Sequence, residues 1–480
     1  MINVSFYKIT SIIICCFFFN CTNRFLTSNH YSDNSVSSSE KKTGTKNNVL
    51  NVKATTALDD LDFGTALDSV STSDTTAIKP AATDYPDQVT SIRNPPFLVE
   101  RSYVRVALKQ NVTRVTFYSI GNVELHPSKG TVKVFRGRCF AVLDEKAHLE
   151  MESSWGKIKF QLPCTLISKN EYNFIDLEQQ SYRGEIVLVS EKKNCFSIVN
   201  SLEVEEYLRG VVPLEIGRLK TDGLEALKAQ AVAARTYTYQ RIREQLGCSY
   251  DLHPTTADQV YGGVNAEYRE SDLAVRLTKN LIMVYNNTVA TAYYHSTCGG
   301  TTANIEDVWK NKPALAYLRS ESDRDSLGNS YCTKSKYFKW EELWTKDQFS
   351  LNVNHGIKVI QPKSLFRGPI RDIRVGATFV CGRVRECTIT GPNGKYDCGG
   401  DLIRSIIRRP VAGNPILRSS NFVIAENNSK GVKITGSGFG HGVGMCQTGA
   451  ISRAQNGQKF ETILGAYYRG IVICSAVFPQ

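Results

Sequence analysis

The sequence predicts an α+β protein, with a mixed α/β core over residues 200–480 preceded by a β-rich module over 97–199. Three observations predict it. Short apolar runs broken by turn residues fill the stretch from Tyr103 to Val199. An alanine-rich run at helical spacing follows from Leu224. Beyond it, Leu281 to Ala292 reads as two strands around an Asn286-Asn287 turn.

The chain begins with an export-type segment, residues 1–21. Lys8 precedes the apolar run Ile9 to Asn20, which is too short for a comfortable membrane span. Cys21 ends the run, where a bacterial lipoprotein would carry its lipid; a simple cleaved signal and an uncleaved anchor are the other readings. Residues 22–96 are rich in Ser, Thr, Asn and Asp and poor in aromatics, and read as a disordered spacer. The β-rich module has candidate strands at Val104–Leu108, Val115–Ile120, Val132–Phe135, Lys157–Leu162, Glu185–Val189 and Cys195–Val199. It is either a docking domain or a sheet continuous with the core, and it holds no candidate catalytic residue. In the core, helices are predicted at Val204–Gly210, Leu224–Gln245, Ser271–Thr278 and Phe460–Tyr467.

Composition excludes some classes. The chain has 480 residues, 41% hydrophobic and 22% charged, ordinary for a globular protein. Its formal net charge of +12 suits an anionic partner such as nucleic acid, a membrane surface or an acidic glycan. No zinc-finger, RNA-recognition or helix-turn-helix pattern accompanies that charge, so nucleic acid is set aside. Only the N-terminal segment suggests membrane contact.

Three constellations carry the chemistry. In the first, Glu215 follows Pro213 and lies between the apolar Leu214 and Ile216. A carboxyl so flanked is a candidate for partial burial and a raised pKa, which general-acid work needs. Simple pairing with a nearby cation is the other reading. In the helix after it, Lys228 and Arg235 are seven residues apart, nearly two turns, and share a face with Leu224 and Ala231. Two long cations on that face need anionic partners or a polar cleft. Further on, Asp258, Gln259 and Tyr261 stand before the Gly262-Gly263 bend and are candidates to line a sugar groove.

The second is Gly436 to Ala450, with six glycines in fifteen residues and His441 as its one imidazole. Such a loop exposes many bare amides and suits the wall of a site for a polar, extended ligand. It is not a dinucleotide fingerprint, because no G-x-G-x-x-G joins a strand to a helix there. Gln447 belongs to the same stretch. The third is Tyr293-Tyr294-His295-Ser296-Thr297-Cys298-Gly299-Gly300. His295 and Cys298 are close enough to share a metal, with Cys332 as a third ligand, and zinc would fit such donors. A Cys298–Cys332 disulfide is a second reading, and a buried His with a free thiol a third. Three of the 14 cysteines lie in the export-type segment, and the odd remainder cannot pair completely within one chain.

Five motifs occur in order between Asn200 and Ile471: V-V-P-x-E, E-A-L-K-A-Q-A-V-A-A-R-T-Y, T-x-A-D-Q-V-Y-G-G-V-N-A-E, H-S-T-C-G-G and G-x-G-x-G-H-G-V-G-M-x-Q-x-G-A. Together they resemble the SpoIID/LytB family, stage II sporulation protein D and amidase enhancer. Phe349 to Arg418 matches weakly, while both flanks match well. The resemblance implies a lytic transglycosylase that cuts peptidoglycan strands stripped of stem peptides, or a glycan-binding enhancer of a cell-wall amidase. It implies Glu215 as acid/base, with Lys228 and Arg235 orienting it or binding the lactyl carboxylate of muramic acid. Tyr294, His441 and Gln447 would bind sugar or steady the cleft, and zinc is implied in the region of His295 and Cys298. The implied location is the periplasm or cell envelope.

Overall fold

The computed structural model describes residues 92–479 apart from 145–147, 155, 169, 171–172 and 193. The export-type segment with Cys21 and nearly all of the Ser/Thr-rich stretch lie outside the described residues. Strands and helices are both abundant, and the α+β class holds.

The β-rich stretch forms one ten-stranded sheet. Its path runs from Tyr103–Val112 through Cys195–Glu203, Glu185–Lys192 and Cys164–Ser168 to Arg114–Pro127, Lys133–Leu143, Leu149–Ser153 and Gly156–Phe160. Arg114–Pro127 changes register between Ser119 and Val123, which lets one long strand serve Ile175–Leu177 near its start and Cys164–Ser168 near its end. Inward residues alternate along it: Val115, Phe117, Val123 and Leu125 are buried. The strand Cys195–Glu203 runs across position 200 straight into helix α1, Val204–Arg209. A single hydrophobic core extends from Phe117 and Leu188 of this sheet to Leu227, Ile282 and Ile473 beyond it.

After α1 comes a one-turn helix, α2, Val212–Glu215, started by Pro213 and ended at Gly217 with φ +94°. The long helix α3, Leu224–Glu244, then crosses the core. It is buried on most sides, and its alanines explain how: small side chains let α1, α2 and α4 (Arg269–Leu277) close on it from several directions. The strands Leu281–Tyr285 and Thr288–Val289 form the hairpin expected at Asn286-Asn287, whose φ angles of 46° and 54° suit a tight turn. That hairpin sits in a four-stranded sheet with Val472–Val477 and Ile92–Leu98, the last two running parallel.

Short helix α5, Ile305–Val308, precedes an insertion with its own core. Two three-stranded sheets, Trp340–Trp344 with Gly431–Gly436 and Phe422–Asn428, and Asp372–Thr378 with Val384–Gly391 and Gly394–Cys398, enclose Trp344, Phe349, Ile389 and Ile406. Helices α6, Lys346–Ile360, and α7, Leu402–Ile406, complete it. The chain then returns to the main core through the glycine-rich stretch, α8 (Gln447–Gln455) and α9 (Phe460–Tyr467).

Candidate functional site

Backbone pairing brings the second and third constellations together. Tyr294–His295 lies parallel to Met445–Cys446, and Thr297 exchanges backbone hydrogen bonds of 3.0 and 2.8 Å with Phe439. The glycine-rich stretch is thus laced along the Tyr293–Gly300 segment. Gly444, at φ +70°, shows why glycine is needed: a Cβ there would come within 2.0 Å of the Tyr293 carbonyl oxygen. The stretch is not loop throughout. From Gln447 it is helix, because Cys446 caps α8 with its sulfur accepting from Gly449 N–H at 3.4 Å.

Glu215 stands at the end of α2, partly accessible but closely surrounded. Val260 N–H donates to its Oε1 at 2.7 Å, and the side chains of Tyr294 and Gln447 also hydrogen-bond it. Burial outweighs these three donors and pushes the carboxyl up to about 7. A group accessible to a ligand yet poorly hydrated, half protonated near neutrality, can both give and take a proton.

Behind it, Gln447 Nε2 meets Gln230 Oε1 of α3 at 3.3 Å, which ties α8 to α3. Gln259 is fully buried and touches Tyr207, Thr238, Ala234 and Tyr294, so it supports the site from behind rather than lining it. Tyr261 is buried too. Its ring packs on Tyr207 at 4.9 Å and its hydroxyl donates to Asn200, so it belongs to the core and not to a groove wall.

His441 remains partly accessible, with its ring 5.0 Å from Trp309, 6.0 Å from Tyr293 and 5.5 Å from His295. Val443 N–H donates to its Nδ1 at 3.1 Å. Burial, helped by Arg404 and Arg383 and opposed by Asp401, lowers its pKa to about 4. At neutral pH it is an uncharged hydrogen-bonding ring. Arg383 comes from the insertion and is fully buried against Gly442, so the insertion shapes this end of the site.

The structure takes Lys228 and Arg235 away from Glu215. Lys228 pairs with Glu225 at 2.7 Å, one turn earlier on α3. Arg235 is fully buried and holds Glu205 of α1 through two bonds of 2.8 Å, while also donating to the carbonyls of Leu281 and Val275. Their need for anionic partners, legible from the sequence, is met inside the fold.

The metal reading changes its membership. Cys298 and Cys332 do meet, with sulfurs 3.5 Å apart, but His295 is not with them. Its Nδ1 lies 3.2 Å from Val443 O and its ring faces His441. Cys446 and Asp323 fill out the group instead, and the four donor atoms lie within 4.8 Å of one another. The 3.5 Å separation is no disulfide, which needs about 2.05 Å. It is close to the roughly 3.8 Å between sulfurs that share a tetrahedral zinc at about 2.3 Å. Burial pushes the Cys298 and Cys446 thiols up, whereas hydrogen bonds from Cys298, Cys446 and the Gly299 and Gly300 amides draw Cys332 toward thiolate. Three sulfurs, one drawn toward thiolate, and a carboxylate fit zinc. Cys446 stands only as an unassigned position of the glycine-rich motif, and Asp323 carries no local signal.

The chain is similar to several known proteins. A family model described as stage II sporulation protein, SpoIID, matches residues 192–285, and a domain of unknown function, DUF8618, matches residues 326–444. An uncharacterised protein of Brachyspira hyodysenteriae is 31% identical over 61% of this chain and 72% of its own. The amidase enhancer of Bacillus subtilis is 29% identical over 56% of this chain, which spans only 40% of that longer protein. Stage II sporulation protein D of Bacillus subtilis is 30% identical over 58% of this chain and 76% of its own. With a SpoIID model matching residues 192–285 and about three quarters of stage II sporulation protein D covered at 30% identity, the chain belongs to the SpoIID/LytB family.

Proposed function

We propose that the protein is an exported lytic transglycosylase acting on peptidoglycan strands freed of stem peptides. The observation that carries this is Glu215: one partly accessible carboxyl, with a pKa raised to about 7 and hydrogen bonds from Val260 N–H and the Tyr294 and Gln447 side chains. Neutral Glu215 protonates the glycosidic oxygen as its bond to C1 breaks. The carboxylate then takes the proton of the sugar's 6-hydroxyl as that oxygen closes on C1. One group thus gives and regains one proton, and no second carboxylate is needed, unlike the common two-acid scheme. Tyr294 and Gln447 hold the carboxylate between the two transfers, and His441 offers an uncharged ring to sugar hydroxyls.

Incubation with amidase-treated glycan strands and mass spectrometry tests this. The expected product carries an anhydro-muramyl end, one water lighter than a hydrolysed end. Glu215→Gln should slow its release by at least about 100-fold, the low end for a lost general acid. Equal product from the variant ends the assignment.

The amidase enhancer among the relatives favours one other reading, a glycan-binding protein that stimulates an amidase without cutting. It predicts no anhydro ends and faster stem-peptide release when an amidase is added.

Zinc belongs to the proposal as a structural group held by Cys298, Cys332, Cys446 and Asp323. Bound there, it would neutralise the buried thiolates and pin Cys446 beside Gln447. Metal analysis should return one zinc per chain, and Cys446→Ser should lose it.

A further inference from the structure

Gln259 has no access to solvent, yet each face of its amide is engaged. Its Oε1 accepts from Tyr207 Oη at 3.2 Å and lies 3.0 Å from Thr238 Oγ1. Its Nε2 donates to the Ala234 carbonyl at 3.2 Å and to Tyr294 Oη at 3.0 Å. The Ala234 carbonyl can only accept, so the nitrogen must face it and the amide has one orientation. The second N–H then points at Tyr294, whose oxygen is an acceptor in that contact. A phenol has one proton, and here it is left for Glu215.

This matters because a hydroxyl free to turn can also accept. It would then draw the proton of neutral Glu215 toward itself and out of line with a ligand. The other partners of Glu215, Val260 N–H and the Gln447 side chain, also act on the ionised form as donors. With Tyr294 fixed as a third donor, the acid proton finds no acceptor among these three protein groups.

We infer that Gln259 is a positioning residue: through the Tyr294 hydroxyl it sets the direction of hydrogen bonding at Glu215 and reserves the acid's proton for the ligand. This rests on the acid/base role proposed for Glu215. Among the described residues, the titratable side chains that feel the Glu215 charge are Tyr207 from α1 and Tyr294, both kept neutral by burial.

The test reads Glu215 without any glycan. Isotope-edited infrared spectra of protein labelled with ¹³C-glutamate, referenced to Glu215→Gln, give its protonation midpoint. Tyr294→Phe should raise the midpoint by roughly one pH unit, the worth of a hydrogen bond to a charged group. Gln259→Leu should move it the same way, and the double variant no further than Tyr294→Phe alone. An unchanged midpoint in Gln259→Leu overturns the inference, as does an additional shift in the double variant. If the leucine variant does not fold, Gln259→Asn carries the same expectation, since it keeps a buried amide but withdraws it from Tyr294. A parent protein that shows these shifts but cuts no glycan would sink the proposed reaction and leave the relay standing.

Discussion

Glu215 shows how opposing effects of similar size make one residue useful. Three donors alone would hold a carboxyl below its ordinary range, and burial alone would push it far above; their balance leaves it near neutrality. The balance has a cost in stability with a definite sign. The group's folded pKa of about 7 lies above its ordinary 4.5, so the folded state holds this proton more tightly than the unfolded state does. Stability from this residue is therefore intact below about pH 4.5 and is lost as pH rises toward 7. Glu215→Gln should match the parent near pH 4 and exceed it at pH 8. Allowing for partial exposure, the gain is on the order of 1–3 kcal/mol by thermal or denaturant unfolding. The identity of this residue was legible in the sequence from its apolar neighbours and Pro213. Its partners were less so: Val260 contributes a backbone amide, which no side-chain pattern announces, and Gln259 looked like a groove residue because sequence cannot show that its environment is closed.

Among the elements, α3 was the most readable and its cations the least. Alanine content predicts the helix, but whether Arg235 faces a ligand or a carboxylate depends on α1, which reaches it from thirty positions earlier. Removing Arg235 should act on the fold. Arg235→Met leaves Glu205 without its partner and should cost about 3–5 kcal/mol in unfolding, while glycan affinity of the folded fraction stays at the parental value. The glycine-rich stretch is equally demanding. At Gly442, φ is +87° and an added Cβ would come within 2.1 Å of the Arg383 guanidinium. Gly442→Ala should cost about 1–3 kcal/mol and lower turnover by moving His441, measurable as a fall in both melting temperature and rate. The helix α6 was missed although its start was written in the chain: Thr345 and Gln348 form a reciprocal cap at its N-terminus. The helical start of α8 was missed for a different reason, since its cap is a cysteine sulfur, an unusual substitute for Ser or Asp.

The described residues form two hydrophobic cores, one shared by the large sheet and the helices, the other inside the insertion. The stretch from Phe349 to Arg418, where the resemblance to the family motifs is weak, falls within that second core, and a separate domain model matches residues 326–444. Truncating Trp344, fully buried there, should cost about 3–5 kcal/mol locally. Hydrogen exchange should then speed up across residues 340–434 and remain slow in α3. Alternation and turn residues made most strands of the large sheet legible. The meeting of Asp323 with three cysteines was not, because it is set by long-range packing that no sequence window contains. Among the described residues no helix is long and apolar enough to cross a membrane.

The pairing of Ile92–Leu98 alongside Val472–Val477 has a mechanical implication. A tether pulling on residue 92 along the strand would load the rungs of that ladder together, sideways, instead of opening them one at a time. Such an arrangement resists tension well, so the core built around that sheet can stay intact under load.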